Sequence, residues 1–402
     1  MGHQGFGVEP GAWTARAASG RLFSGGVVDA TCLRARRILT LDPAQPEIHD
    51  GGIVIDGGRI LAVGPWRDVR GTALVRDLGA VTVVPGLINA HAHLGLSGLA
   101  GRIPAGLGFP AWADAVFARL GDPLDEPALI RAVDGMRTSG TCFVADVVGP
   151  GGETIRRALE AVGLDGLLFR EFAGRGRGRF SPQSLPGVWS AAVHALYSTD
   201  PVLARAIKTW CDGRDLPFTV HLAEVPGENE LFQTGDGPLA EFLRDRRVLP
   251  KGFAPCGRSA VGRADALGLL DARTLAVHCV HVDRDDIEIL AQSGATVCLC
   301  PRGNAWIGVG TAPVPALRAA GVPLCLGTDS LASNADLDLW AELRALRVVL
   351  SSPLSAVLPL VTTNPARVLG IADDYGSLES GKRAVWTVVP PDLDDMVSEG
   401  WR

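Results

Sequence analysis

The sequence predicts an α/β protein in which a (β/α)8 barrel carries a small β domain beside it. The main observation is a set of eight apolar runs, each typical of a buried parallel strand, between about residues 85 and 371. These runs alternate with stretches long enough for helices, whereas short apolar runs separated by glycine turns precede and follow this central part. With 47% hydrophobic and 20% charged residues among 402, the composition excludes a disordered chain.

The two chain ends supply the predicted β domain, which combines residues 27–84 with residues 372–402. Residues 1–26 are Gly-rich and lack the apolar segment of a signal peptide, so we expect an irregular N-terminal segment there. Before the barrel, short strands are predicted at Arg37–Leu41, Gly51–Gly58 and Ile60–Gly64, with a hairpin turn at Asp56-Gly57-Gly58. After the barrel, the same pattern returns in Gly376–Lys382 and Ala384–Val389.

The barrel is predicted to comprise residues 85–371, with helices between its strands, for example at Glu126–Ser139 and Pro201–Asp212. The eight apolar runs end near His93, Asp146, Glu171, His194, His221, His278, Cys300 and Asp329. Six of the eight histidines of the chain lie in these runs. Because active sites of such barrels lie at the carboxyl ends of the strands, this clustering predicts a functional site there.

Four polar residues in these apolar runs or at their ends predict a metal centre. His91 and His93 are one residue apart, so on a strand both side chains point to the same face. Together with His221 and Asp329 they offer three imidazoles and one carboxylate, which suit zinc and leave a position for water; iron(II) would fit the same ligands. Each residue alone could instead be a strand-end group bonded to backbone, and Asp329 could be a helix N-cap. None of the three lysines ends a strand, so we expect one metal ion and no bridging lysine carbamate.

Five motifs carry a resemblance to a known family. They are Pro-Gly-x-x-x-x-His-x-His-Leu from Pro85, His-Leu-Ala-Glu from His221, Val-His-Cys-Val-His from Val277, Cys-Pro-Arg-x-Asn from Cys300, and Leu-Gly-Thr-Asp-Ser-x-Ala-Ser-Asn from Leu326. The chain resembles the amidohydrolase superfamily, in the branch of cytosine and adenosine-type deaminases and chlorohydrolases. The resemblance implies a distorted (β/α)8 barrel with a β-sandwich built from both chain ends.

The resemblance also implies a role for each motif residue. His91, His93, His221 and Asp329 would be the zinc ligands, and the zinc-bound water would supply hydroxide near neutral pH. Asp329 would accept the proton of that water, and His278 would orient the attacking oxygen. Glu224 would give a proton to the ring nitrogen beside the amine-bearing carbon. For His281 we expect a supporting role behind the ligands.

Substrate contacts are predicted from the same resemblance and from charge. His194 matches a family histidine that contacts substrate. Ser97, Phe109 and Trp112 lie in a pattern similar to that of the aminodeoxyfutalosine deaminases, although the two aromatic residues could instead belong to a core helix. Two further candidates could bind a carboxylate of the substrate: Arg302, and the loop that carries Arg175, Arg177 and Arg179. The alternative for this loop is that its arginines are simply solvated.

The predicted function is hydrolytic replacement of the exocyclic amine of an adenine-type ring by oxygen. The resemblance to the aminodeoxyfutalosine deaminases implies 6-amino-6-deoxyfutalosine, an intermediate of menaquinone biosynthesis, as the leading substrate. The alternatives are 5′-methylthioadenosine or S-adenosylhomocysteine, guanine or a triazine, and, more remotely, a metal-free scaffold protein. The net charge of -6 argues against nucleic acid as a partner, and no apolar run approaches the roughly 20 residues that span a bilayer.

The cellular setting is predicted from the cysteines. None of the eight forms a Cys-x-x-Cys pair, so we expect free thiols in a reducing cytoplasm. The pair Cys298 and Cys300 lies in an apolar run, which favours core packing over metal binding. A small nucleoside-like molecule is the expected partner, and a homodimer is one expected assembly because relatives commonly form dimers.

Overall fold

The computed structural model describes residues 30–71, 73–174, 180, 189–250, 252–350 and 352–394. Within these residues the strands are β1 (Thr31–Leu39), β2 (Glu47–Asp56), β3 (Arg59–Pro65), β4 (Leu74–Asp77), β5 (Thr82–Pro85), β6 (Leu87–Ala92), β7 (Thr141–Val148), β8 (Asp165–Phe172), β9 (Ser190–Ala195), β10 (Phe218–Leu222), β11 (Thr274–His278), β12 (Thr296–Leu299), β13 (Leu324–Leu326) and β14 (Trp386–Val388). The predicted N-terminal segment 1–26 lies outside the described residues.

The helices of the described residues mostly follow the barrel strands. They are α1 (Trp66–Val69), α2 (Phe109–Phe117), α3 (Glu126–Thr138), α4 (Gly152–Val162), α5 (Pro201–Asp212), α6 (Glu228–Thr234), α7 (Pro238–Asp245), α8 (Ala260–Ala266), α9 (Arg284–Ser293), α10 (Pro301–Ile307), α11 (Val314–Ala319), α12 (Leu339–Leu350), α13 (Leu354–Val357) and α14 (Thr363–Val368). Two 3-10 helices span Leu94–Leu99 and Leu358–Val361.

Strands from both chain ends form one mixed sheet beside the barrel. Its order is β14-β5-β1-β2-β3, and β4 also pairs with β1. Because β14 runs antiparallel to β5, the predicted pairing of the two chain ends is confirmed. The predicted hairpin is also present: β2 and β3 are antiparallel and are joined by Gly57 and Gly58, whose φ values of +55° and +77° suit a tight turn.

The (β/α)8 barrel is confirmed. Strands β6 to β13 are parallel neighbours in chain order, and each of the eight predicted strand ends lies at or within three residues of an observed one. Two helices match their predicted bounds to within a residue, because α3 begins after the N-cap Asp125 and α5 after the N-cap Asp200. All six residues of β6 are buried, as expected for a parallel strand covered on both faces.

The barrel closes where β13 meets β6. Ala92 and Asp329 form a β-bridge, and the backbone N–H groups of Thr328 and Asp329 both donate to the His91 carbonyl at 3.1 Å. Gly327 permits this approach, since a Cβ there would lie 2.6 Å from His91 Cβ and 2.7 Å from its carbonyl oxygen. The closure therefore places Asp329 directly beside the histidines of β6.

We expect the Gly327→Ala variant to unfold about 1–3 kcal/mol more easily than the natural protein, because the added methyl overlaps the His91 backbone. The matched control is Gly135→Ala in α3, where a Cβ would meet no heavy atom within 4 Å. At that helical position alanine is expected to be neutral or to stabilise by about 0.5–1 kcal/mol. Denaturant unfolding of both variants checks this, and equal stability of the two would contradict the close approach.

All eight cysteines are free, and six of them are buried. Cys298, Cys300 and Cys325 belong to one apolar cluster with side chains of the barrel strands, so the expected core packing of the Cys298 and Cys300 pair is confirmed. Among the described helices, none has the length and apolar character needed to cross a membrane.

Candidate metal centre and active site

Three histidines and one aspartate converge at the carboxyl end of the barrel. His91 and His93 lie at the end of β6, His221 lies in β10, and Asp329 follows β13. The Nε2 atoms of His93 and His221 are 3.2 Å apart. Asp329 Oδ1 lies 3.7 Å from Nε2 of His91 and 3.7 Å from Nε2 of His93. The structure thus brings together the four residues predicted as ligands.

The hydrogen bonding of His91 indicates that this cluster fits a cation. The residue is only 1% exposed, yet neither ring nitrogen has a hydrogen-bond partner among the described residues. Buried polar atoms are almost always paired, so Nε2, which lies 3.7 Å from Asp329 Oδ1, is suited to bind a cation. Burial, followed by the neighbouring imidazoles, lowers the pKa of His91 and of His221, which keeps both neutral. The neutral imidazole is the form that binds metals.

Neighbouring groups fix the orientation of two of these ligands. His221 Nδ1 donates to the His194 carbonyl at 2.6 Å, which directs Nε2 towards the cluster. Asp329 Oδ2 accepts from Ser333 Oγ at 2.5 Å, which leaves Oδ1 facing His91 and His93. Asp329 also has a φ of +56°, an uncommon conformation for a residue other than glycine that is typically retained at functional sites.

Glu224 and His278 form a second pair beside the cluster. Glu224 follows β10 on a turn that the Glu228 carboxylate holds by accepting from the N–H groups of Ala223 and Glu224 at 3.1 and 3.0 Å. His278 ends β11, and its Nδ1 donates to Asn304 Oδ1 at 2.9 Å. Its Nε2 then lies 3.6 Å from Glu224 Oε1, so the two groups face the same space.

The protonation states of this pair are set mainly by burial. Burial, with a smaller effect of the Asp329 charge, raises the pKa of Glu224 to about 8, so its carboxyl group is protonated at neutral pH. Burial lowers the pKa of His278, so its imidazole is neutral and carries a lone pair on Nε2. An acid and a base of this kind, side by side in a cleft, are suited to proton transfer.

A cavity of about 700 Å³ opens over these groups. Its polar lining residues include His93, His221, Glu224, His278 and Asp329. Its apolar lining residues include Phe109, Trp112, Val116, Leu124, Phe242, Leu243 and Val248. This volume lies within the range of small-molecule sites, and a few polar groups in a largely apolar pocket are typical of them.

The chain matches the sequence model of a known protein family. Residues 82–401 match the sequence model of the amidohydrolase family. The chain belongs to this amidohydrolase family. The family resemblance stated from the sequence motifs is therefore confirmed, and the barrel with its accompanying sheet is the scaffold that carries the site.

Relatives within the family cover most of the chain. A 5-methylthioadenosine/S-adenosylhomocysteine deaminase of Nitratidesulfovibrio vulgaris (strain DP4) is 30% identical over 386 residues, which span 87% of this chain and 81% of that protein. Among solved structures, the aminofutalosine deaminase of Helicobacter pylori in complex with methylthio-coformycin superposes with a TM-score of 0.77 at 21% identity, covering 89% of this chain and 91% of that one. A zinc-bound adenosine deaminase of Xanthomonas campestris gives 0.75 at 23% identity, with 92% and 87% coverage.

Three of the predicted substrate contacts lie at the cavity of this amidohydrolase. His194 lines it, with Nδ1 in a 2.6 Å hydrogen bond to Ser198 Oγ. Phe109 and Trp112 also line it, and the Trp112 indole N–H donates to the Ala332 carbonyl at 2.9 Å. His281 Nε2 donates to the Val309 carbonyl at 2.8 Å, and the supporting role predicted for this residue stays a prediction.

Two predicted contacts are placed differently. The Arg302 guanidinium forms a bidentate ion pair with Asp336, with N–O distances of 2.6 and 3.1 Å, and is absent from the described lining of the cavity. Ser97 is buried in a 3-10 helix and donates to the Leu94 carbonyl at 2.7 Å. The predicted arginines of the segment 175–179 lie outside the described residues.

Two cavity residues have no role in the sequence-based prediction. Arg119, just after α2, is the one arginine or lysine among the described lining residues. Glu171, near the end of β8, also lines the cavity. Glu171 is predicted to lie at a strand end but is assigned no role. For Arg119, the only signal in the sequence is its position close to a predicted amphipathic helix.

Proposed function

We propose that the protein is a metal-dependent hydrolytic deaminase that replaces the exocyclic amine of an adenine-type ring by oxygen. The observation that carries the proposal is the convergence of His91, His93, His221 and Asp329 beside a protonated Glu224. A cluster of three imidazoles with one carboxylate fits a divalent cation, and Glu224 supplies the acid that an aromatic amidine needs. Relatives named as deaminases support the same reaction class.

The four clustered residues would hold the cation, with zinc favoured by three imidazoles and one carboxylate and iron(II) compatible with the same donors. Such an ion acts as a Lewis acid and lowers the pKa of a coordinated water towards neutrality. The sequence predicts a single ion. The buried, unpaired nitrogens of His91 support this position for it.

Three residues, His278, Asp329 and Glu224, orient the water and carry out the proton transfers of the proposed reaction. His278 Nε2 accepts a hydrogen bond from the attacking water and orients it, while Asp329 takes one of its protons. Glu224 gives its proton to the ring nitrogen next to the amine-bearing carbon as the water oxygen bonds to that carbon. Asp329 then passes its proton to the amine, which leaves as ammonia. Glu224 finally takes the remaining hydroxyl proton as the carbonyl forms, which restores its starting state.

The cavity favours an adenine nucleoside with an apolar extension that ends in a carboxylate. Phe109 and Phe242 contribute apolar surface to the cavity, and Arg119 contributes a cation. Aminodeoxyfutalosine, which carries a benzoate, combines these features and remains the first candidate. The second candidates are S-adenosylhomocysteine, which carries an amino acid, and 5′-methylthioadenosine, because relatives are named for these substrates.

A substrate panel tests this proposal. The zinc-loaded protein is incubated with aminodeoxyfutalosine, S-adenosylhomocysteine, 5′-methylthioadenosine, guanine and a triazine, and ammonia release gives kcat/KM for each. We expect the highest kcat/KM for aminodeoxyfutalosine. Highest activity on 5′-methylthioadenosine would replace the proposed substrate, and no ammonia from any adenine compound would refute the proposed function.

We expect Arg119→Met to raise KM for the two carboxylate-bearing substrates by about 5- to 30-fold, because an exposed guanidinium contributes a screened, charge-assisted contact. For 5′-methylthioadenosine, which has no carboxylate, KM is expected to stay unchanged. Arg131→Met, on the exposed face of α3 away from the cavity, is the matched control. An equal change of KM for all three substrates in Arg119→Met would show that Arg119 does not bind the substrate carboxylate.

A further inference from the structure

Glu171 lines the cavity and offers a carboxylate oxygen as a hydrogen-bond acceptor. Within the described residues, its Oε1 is buried and has no hydrogen-bond partner. An unpaired buried carboxylate oxygen is costly, so its retention at a cavity wall indicates a ligand that donates to it. The proposed reaction needs two carboxyl groups, those of Glu224 and Asp329, and assigns no proton transfer or ligand contact to Glu171.

His194 faces the same space and offers a second acceptor. Glu171 pairs with Ala192 of β9, so Glu171 and His194 point to the same face of the sheet. Ser198 Oγ donates its one hydrogen to the Ala195 carbonyl at 3.0 Å, which makes His194 Nδ1 the donor in its 2.6 Å contact with that hydroxyl. Because Nδ1 carries the proton of this contact, Nε2 is the ring nitrogen that remains to accept a hydrogen bond from a ligand.

A second metal ion is a poor match for this acceptor pair. A carboxylate oxygen of Glu171 and ring nitrogens of His194 and His221 do lie within 4.8 Å of one another. His221 has no nitrogen to spare, however, because Nδ1 donates to the His194 carbonyl at 2.6 Å and Nε2 lies in the metal cluster, 3.2 Å from His93 Nε2. An organic group with two hydrogen-bond donors satisfies Glu171 and His194 without breaking either arrangement.

The order of the strands indicates which part of the substrate lies here. Around the barrel, β8 with Glu171 and β9 with His194 are followed by β10 and then by β11 with His278. If the adenine ring is placed against Glu224 and His278, the next substrate group towards β8 is its sugar. We propose that Glu171 and His194 accept hydrogen bonds from the two vicinal hydroxyls of a ribose, which makes Glu171 a specificity-determining residue. This inference rests on the proposed function, since it takes the ring position from it.

The test compares ribonucleosides with their deoxy forms. The best adenine ribonucleoside of the panel and its 2′-deoxy and 3′-deoxy analogues are assayed with the natural protein, with Glu171→Gln and with the control Glu160→Gln on the exposed face of α4. Charge-assisted hydrogen bonds of this kind predict a preference for the ribonucleoside of about 10- to 100-fold in kcat/KM. Glu171→Gln is expected to remove most of this preference through KM, whereas Glu160→Gln keeps it.

Two further measurements separate the outcomes. Elemental analysis is expected to give the same zinc content for Glu171→Gln as for the natural protein, and loss of zinc would overturn the inference in favour of a metal ligand. Calorimetric binding of the corresponding hypoxanthine ribonucleoside and its 2′-deoxy form needs no turnover. Binding that depends on Glu171 and on the hydroxyls, without ammonia release, would refute the proposed function and keep this inference. A preference for the ribonucleoside over its deoxy forms that is unchanged in Glu171→Gln would refute this inference and leave the proposed function intact.

Discussion

Replacing Glu224 by glutamine is expected to lower kcat by about 10³-fold, within the range of 10²- to 10⁴-fold typical of general acid–base catalysis. Glutamine keeps the size and polarity of the side chain but cannot transfer a proton to the ring nitrogen. Because Glu224 is a neighbour of the metal cluster and not one of its four members, the zinc content is expected to stay the same. Ammonia release and elemental analysis of the same sample measure both quantities.

The pH profile gives this variant an internal check. The raised pKa of Glu224, about 8, means that the natural enzyme holds the required proton below this pH and loses it above. We therefore expect kcat/KM of the natural protein to fall about tenfold per pH unit above pH 8, and the residual activity of Glu224→Gln to lack this limb. Glu230→Gln, an exposed neighbour on α6, is the control with unchanged activity. A Glu224→Gln variant with more than a tenth of the natural kcat would contradict the assignment.

Replacing His91 by asparagine is expected to remove the metal. We expect the zinc content to fall from about one per chain to near zero and kcat to fall by about 10³-fold or more, because the Lewis acid is lost. Added zinc stabilises a protein that binds it only when folded, by about 4 kcal/mol at a thousand times the dissociation constant. The natural protein should therefore melt at a higher temperature with zinc, whereas His91→Asn should not respond.

The matched control for this variant is His49→Asn, because the His49 side chain is 69% exposed and lies in β2, away from the barrel. It is expected to keep both the zinc content and the activity. Full zinc occupancy in His91→Asn would contradict the proposed ligand set, since the unpaired ring nitrogens of His91 are the observation that points to an ion there.

The strand order and the convergence of His91, His93, His221 and Asp329 could be predicted from the sequence for one physical reason. Parallel barrel strands bring their carboxyl ends to one edge, so residues such as His221 and Asp329, 108 positions apart, must approach one another once both end strands. Local chemistry was also sufficient for the helix that begins at Pro201, since Asp200 is an N-cap whatever the rest of the fold does.

The roles of single charged side chains could not be predicted in the same way. Arg302 follows a motif strand, but its ion pair depends on Asp336, which a later loop brings to it. Arg119 reaches the cavity because α2, which precedes it, lines the same cavity, and no local pattern encodes that placement. Glu171 could not be identified from the sequence as a substrate contact, because the observation that points to it is its buried Oε1 atom, which has no hydrogen-bond partner among the described residues.

Titration of metal into the metal-free protein tests the central claim most directly. The rate of ammonia release from the best adenine nucleoside is measured against equivalents of zinc. We predict a rate near zero without metal, a linear rise, and a plateau at one equivalent per chain. Ammonia release that does not depend on metal, or a protein that binds zinc and releases no ammonia from any adenine compound, would contradict it.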